Sequence, residues 1–125
     1  ISPNVDKFLS FEKEWGISNI EKYHSFADRV KSAKSDILKL LDDFKSSQVE
    51  VGGYGAPAKG NTLLNYLEAD PSMIAYIADN NPLKQGKVTP GSHILVISDQ
   101  EFLDKNPSHA LLLAWNYLEF FLKNF

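Results

Sequence analysis

Residues 49–62 read Val49-Glu50-Val51-Gly52-Gly53-Tyr54-Gly55-Ala56-Pro57-Ala58-Lys59-Gly60-Asn61-Thr62. This stretch predicts a short apolar strand, a glycine-rich turn and the start of a helix. Within it, Gly53, Gly55 and Ala58 match the spacing GxGxx(G/A), whose small residues allow a tight turn and the close approach of a phosphate. The free amides and positive dipole end of the following helix favour an anion at the same place. The alternative interpretation is a purely structural strand-to-helix turn.

The glycine-rich turn does not match the phosphate-binding loop of an ATPase. In that loop a lysine follows the second glycine and a serine or threonine comes directly after it. Here Lys59 precedes Gly60, and Asn61 separates that glycine from Thr62. Pro57 also removes one amide donor from the turn. We therefore reject an ATPase function.

Strands and helices alternate after the turn. Helical patterns cover residues 61–67, 98–103 and 116–125, the last capped by Asn116, and strand patterns cover residues 74–79, 93–97 and 110–115. The sequence thus predicts an α/β fold: a Rossmann-like three-layer domain with a short parallel sheet of about four strands, preceded by two N-terminal helices. Right-handed crossovers give the strand order 3-2-1-4.

This strand order predicts where a ligand binds. In an open α/β sheet the ligand crevice lies beyond the carboxyl ends of the strands, where the strand order reverses. Here that point lies between the first and fourth strands, so the turn at residues 53–60 and the pair Trp115-Asn116 should face each other.

Further candidates follow the second and third strands. Asp79 ends the second strand, where an acid commonly binds the hydroxyl pair of a ribose. The polar loop at residues 79–87 follows it, and His93 lies in a constrained loop, although a structural role suits this histidine better. The predicted substrate-binding residues are Gly53, Tyr54, Gly55, Ala56, Pro57, Ala58, Lys59, Gly60, Asn61, Thr62, Asp79, Asn80, Lys84, Gln85, His93, Trp115 and Asn116.

The first 47 residues show helical periodicity and no strand pattern. A first helix should end near Gly16, and Ser18 with Glu21 forms the pattern of a capping box for a long second helix. We predict that residues 1–47 pack on the sheet or on a domain outside this chain, and that residues 48–125 form the Rossmann-like α/β domain.

Composition excludes several classes of function. Among 125 residues, 13 are basic and 16 acidic, which gives a net charge of -3 and argues against nucleic-acid binding. Cysteine is absent, and the three histidines are not at metal-ligand spacing, so no metal site is predicted. No complete set of catalytic residues is present. No apolar run is long enough to predict a membrane span, and no signal-peptide pattern is present; we predict a cytoplasmic chain that interacts neither with membranes nor with nucleic acid.

Four stretches together resemble one protein family. They are residues 53–66, residues 79–87, Pro90-Gly91-Ser92-His93-Ile94 and Leu113-Ala114-Trp115-Asn116. In the same order, they are similar to the motifs of the C-terminal domain of S-adenosylmethionine-dependent sugar C-methyltransferases. The resemblance covers essentially the whole chain.

The resemblance implies a division of labour within a longer protein. Such proteins have a zinc-binding module, a central methyltransferase domain that holds S-adenosylmethionine and the catalytic residues, and a C-terminal domain that helps hold a nucleotide-linked deoxysugar. No cofactor is then expected in this chain, and it should be inactive by itself. Two alternatives stay open at this point: a dinucleotide-binding fragment of an oxidoreductase, and a non-catalytic interaction module.

Overall fold

The computed structural model describes residues 2–124, which divide into two compact units, one reaching to Asp36 and the other beginning at Ile37. The helices and strands, in chain order, are α1 (Pro3–Trp15), α2 (Ile20–Ser46), β1 (Val51–Tyr54), α3 (Ala58–Leu67), β2 (Tyr76–Ala78), β3 (Leu95–Ile97), α4 (Asp99–Lys105), β4 (His109–Leu112), a 3-10 helix (Trp115–Tyr117) and α5 (Leu118–Asn124). The last residue predicted for α5, Phe125, lies outside the described residues.

The first unit contains α1 and the beginning of α2. Gly16 ends α1 in a left-handed conformation, as predicted. The capping box predicted for Ser18 and Glu21 is wrong: α2 begins one residue later than that pattern requires, and the Asn19 side chain accepts a hydrogen bond from the Glu21 amide at 2.9 Å. Neither α2 nor any other helix within residues 2–124 has the length and apolar character needed to cross a membrane.

The second unit is built on a four-stranded parallel sheet. Its order is β3-β2-β1-β4, which confirms the predicted 3-2-1-4 arrangement. Gly53 pairs with Ile77 on one side and with Leu111 on the other, so the glycine-rich strand is central. The glycine-rich turn therefore emerges at the middle of the sheet edge.

The sheet is covered on both faces. One cluster of buried side chains combines Leu41 of α2 and Leu64 of α3 with Ile77 of β2. A second cluster contains Tyr76 and Ala78 of β2 with Phe102 of α4. Because neighbouring residues of a strand point to opposite faces, these clusters lie on the two sides of the sheet. The three-layer α/β class is confirmed.

Several elements are shorter than the sequence predicts. The ladder of β2 begins only at Tyr76, although Ile74 before it is fully buried. After β4, the Leu113 amide still donates to the Tyr54 carbonyl at 2.9 Å, but Trp115 already begins the 3-10 helix. Asn116 therefore lies inside that helix and does not cap α5, which corrects the prediction. Apolar periodicity reports burial rather than strand pairing, and so it overextends the strands.

Gly55 allows the turn to pass close to the chain that leaves β4. Its φ of +81° is strained for other residues, and a Cβ added there would lie 2.8 Å from the Ala114 Cβ. Gly86 has a similar φ of +75°, but an added Cβ would meet nothing within 4 Å. Gly55 and Gly86 therefore share a left-handed conformation, but only at Gly55 would an added side chain collide with another part of the protein.

We expect Gly55→Ala to lower the free energy of unfolding by about 2–4 kcal/mol, because it combines a left-handed conformation with overpacking. Gly86→Ala is the matched control, with an expected loss of about 1 kcal/mol from conformation alone. Urea unfolding of both variants measures the difference. Equal losses would show that the contact with Ala114 is unimportant.

Candidate functional site

Two cavities flank the glycine-rich turn. The first has a volume of about 750 Å³ and lies at the carboxyl edge of the sheet. Its lining residues are Tyr54, Gly55, Pro57, Asp79, Asn80, Asn81, Lys84, Asp99, Ala114, Tyr117, Phe120 and Phe121. It lies beyond the carboxyl ends of β1 and β4, where the strand order predicts a crevice, but it also extends to Asp79 and Asp99 after β2 and β3.

The second cavity lies on the other side of the turn and has a volume of about 400 Å³. It is formed by the beginning of α3, the loop between β2 and β3, and buried side chains of the sheet. Its lining residues are Ala56, Pro57, Ala58, Asn61, Leu64, Leu83, Lys84, Lys87, Val88, Thr89, Pro90, Val96 and Leu113. Pro57 and Lys84 line both cavities.

The buried carboxylate of Asp79 holds the site together. It accepts hydrogen bonds from the Ala56 amide at 2.8 Å, from the Asn81 amide at 2.9 Å and from the Lys84 ammonium at 2.8 Å. Lys84 also donates to the Ala56 carbonyl at 2.9 Å. Gln85 adds a hydrogen bond from its side chain to the Asp79 carbonyl at 2.9 Å. The glycine-rich turn and the β2–β3 loop are thereby fastened to each other.

This network keeps Asp79 ionised. Burial by itself raises the pKa of the Asp79 carboxyl, but the hydrogen bonds from Lys84, Asn81 and Ala56 outweigh burial, and its pKa lies below the ordinary value. The carboxylate already accepts three hydrogen bonds and is almost fully buried. A ribose hydroxyl pair would have to compete with these donors, so the structure gives Asp79 an organising role.

Lys59, Trp115 and Asn116 come together, as the strand order predicts. The Lys59 ammonium donates a hydrogen bond to the Asn116 side chain and lies 4.6 Å from the centre of the Trp115 ring. All three residues are exposed, and none of them lines either cavity. They form a polar and aromatic rim outside the two cavities.

Some predicted contact residues serve packing. Gly53 and Gly60 are buried, and an added Cβ would lie 2.7 Å from Ile77 and 2.9 Å from Leu113, respectively. The Thr62 hydroxyl donates to the Ala58 carbonyl of its own helix. His93 is exposed, has a φ of +56° and lines neither cavity. The structure does not bring these four residues to the walls of the cavities.

Sequence reasoning missed most aromatic residues of the first cavity. Tyr117, Phe120 and Phe121 all belong to the segment after β4. Their ring contacts depend on how α5 packs; Phe121, for example, lies with its centroid 5.0 Å from that of Tyr54. No sequence signal marks this arrangement.

Asp99 could have been found from the sequence. Ser98 and Glu101 form a capping box, so Asp99 is the first residue of a helix that follows the carboxyl end of β3. Burial, hydrogen bonding to Asp99 and the charges of Asp99 and Asp79 together raise the pKa of Tyr54 to about 12, so the phenol stays protonated at neutral pH.

The described residues offer no metal centre. Within residues 2–124, no three histidine, aspartate or glutamate side chains are grouped so that they could hold an ion. The arrangement instead suits the binding of an organic molecule, because apolar walls are combined with a few placed polar groups.

We expect Asp79→Asn to lower the free energy of unfolding by about 2–3 kcal/mol at pH 7, since charge-assisted hydrogen bonds are lost. Because the pKa of Asp79 is lowered in the folded state, its contribution is complete above the unfolded pKa of about 4 and is lost as the pH falls through the folded value. The difference in free energy of unfolding between Asp79→Asn and the unmodified protein should therefore become smaller at acidic pH.

Chemical unfolding between pH 3 and pH 7 measures this effect. Asp42→Asn, on the exposed surface of α2, makes the same charge change away from the site and should stay within about 0.5 kcal/mol. A pH-independent loss for Asp79→Asn would contradict the role of its charge.

Comparison with known proteins identifies the family. Residues 1–124 match the family described as the C-methyltransferase C-terminal domain. The chain is 36% identical over 117 residues to the C-methyltransferase NovU of Streptomyces niveus. The match covers 94% of this chain and 28% of that relative, so the chain spans just over a quarter of its length. The protein described here belongs to the family of C-methyltransferase C-terminal domains.

Proposed function

We propose that this chain is the substrate-binding domain of a sugar C-methyltransferase. It holds a nucleotide-linked keto-deoxysugar while another domain of a longer protein transfers the methyl group. The observation that carries the proposal is the pair of cavities that share Pro57 and Lys84, one on each side of the turn. Together they can accommodate a long ligand with chemically different ends.

The geometry of the site suits the binding of a substrate better than it suits catalysis. The Asp79 carboxylate accepts hydrogen bonds from the Ala56 amide and from Lys84, and the Tyr54 phenol stays protonated at neutral pH. Neither group is poised to take a proton near pH 7. Fastened loops that fix the position of a bound molecule contribute to catalysis by orientation.

The residues of this chain do not fit S-adenosylmethionine. In a Rossmann-like site, an acid at the end of the second strand holds the ribose hydroxyls. Here that acid is Asp79, whose oxygens accept hydrogen bonds from Ala56, Asn81 and Lys84. We therefore assign the methyl donor to the methyltransferase domain of the longer protein, with which this chain and a zinc-binding module would act in deoxysugar biosynthesis in the cytoplasm.

The same observation weighs against the oxidoreductase alternative. A dinucleotide also needs a free acid at this position and open amides in the turn. The Ala56 amide points to Asp79, and Pro57 has no amide proton to offer.

An amide-shift titration tests the proposed function. We expect thymidine diphosphate to shift the amides of residues 53–62 and 79–85 and those of Trp115 and Asn116, because these lie on the turn, the fastened loop and the rim. NAD and S-adenosylmethionine, at the same concentrations, should leave them unchanged.

Each other result has a definite meaning. A response mainly to NAD would favour an oxidoreductase, and binding of S-adenosylmethionine would contradict the assignment of the methyl donor to another domain. If thymidine, uridine, adenosine and guanosine diphosphates all fail to bind, this chain does not hold the nucleotide by itself. That result would favour the alternative that the chain is a non-catalytic interaction module.

A further inference from the structure

The two cavities differ in charge. The first is lined by two carboxylates, Asp79 and Asp99, and one ammonium group, that of Lys84. The second is lined by Lys84 and Lys87 and by no carboxylate. The Lys84 ammonium lies 2.8 Å from the Asp79 carboxylate, so these two charges neutralise each other. The remaining charge is negative in the first cavity, at Asp99, and positive in the second cavity, at Lys87. An anionic group of a ligand is therefore favoured in the second cavity.

The polar groups of the first cavity suit a hydroxylated ring. Asp99 supplies acceptors, while the Asn80 and Asn81 side chains can both donate and accept. The exposed Tyr117 and Phe120 present aromatic surface beside these groups. A sugar carries many hydroxyl groups with apolar C–H faces between them, and this combination matches such walls.

The walls of the second cavity suit an apolar planar group next to an anion. Its apolar side chains include the buried Leu64, Val96 and Leu113. Lys87 is exposed, and its ammonium makes no hydrogen bond or ion pair with the rest of residues 2–124. Ala58, the first residue of α3, brings the amide end of that helix to the same cavity. Helix amides and a lysine both favour a phosphate.

We propose that the ligand lies across the glycine-rich turn in one orientation: the nucleoside occupies the second cavity, the diphosphate lies along Lys84 and Lys87, and the sugar occupies the first cavity. The inference rests on the proposed function, because it orients the nucleotide-linked sugar assigned there. In the reverse orientation the hydroxylated sugar would lie against the apolar side chains of the second cavity, away from the hydrogen-bond acceptors of Asp99.

Affinities of two probes for two variants test the orientation. The probes are thymidine diphosphate and thymidine-diphosphate glucose, which share the nucleotide and differ in the sugar. We expect Lys87→Glu to weaken both probes by at least tenfold, since it places a negative charge beside the diphosphate. Tyr117→Ala should weaken the glucose-bearing probe by at least fivefold and leave thymidine diphosphate within twofold.

Matched controls separate local effects from general ones. Lys39→Glu on the exposed surface of α2 makes the same charge change away from both cavities and should leave both affinities within twofold. Lys87→Gln, which removes the charge without reversing it, should have an intermediate effect. Thermal unfolding shows whether each variant remains folded; Lys87 contributes only its backbone to the sheet edge, so its side chain can be replaced without loss of fold.

The results that would contradict the orientation differ from those that would contradict the proposed function. If Tyr117→Ala weakens thymidine diphosphate while Lys87→Glu does not, the orientation is wrong and the proposed function stands. If Lys87→Glu and Lys39→Glu have equal effects, the positive charge of the second cavity does not bind the diphosphate, and the orientation is again overturned. If neither probe binds the unmodified protein, and uridine, adenosine and guanosine diphosphates do not bind it either, the proposed function itself fails.

Discussion

The Asp79 carboxylate is the group on which the rest of the site depends. It joins the turn after β1 to the loop after β2, by hydrogen bonds to the Ala56 amide and the Lys84 ammonium. Residues of these two loops line both cavities, and Lys84 lines each of them. A buried carboxylate is costly unless it is fully hydrogen-bonded, and here three donors meet that cost. The same bonds that stabilise the charge fix the shape of the site.

The glycine-rich turn uses its small residues mainly for packing. Gly53 and Gly60 let the strand and α3 approach Ile77 and Leu113, and Gly55 lets the turn pass Ala114. In a dinucleotide site the same spacing brings the backbone close to a phosphate. Here the close approach is between elements of the protein, and an anion is expected at Lys87 instead. A shared spacing can therefore serve two different kinds of contact.

The position of the two cavities follows from topology, and the selectivity that we propose for them follows from a few charges. Parallel strands in the order β3-β2-β1-β4 bring the ends of β1 and β4 together, and this creates the crevice. Asp99 at the start of α4 and Lys87 before β3 then make its two sides electrically different. Neither residue is needed for the topology, so the ligand preference of this fold can change without rebuilding the sheet.

The sequence by itself determined the fold class, the strand order and the proximity of the turn at residues 53–60 to Trp115 and Asn116. Apolar periodicity, glycines and right-handed crossovers are local or general constraints, and they suffice for these conclusions. The lengths of the strands, the role of Asp79 and the second cavity were decided by the tertiary structure alone. They depend on distances between residues far apart in the chain, such as Ala56 and Lys84, and no pattern in the sequence encodes which donor a buried carboxylate will meet.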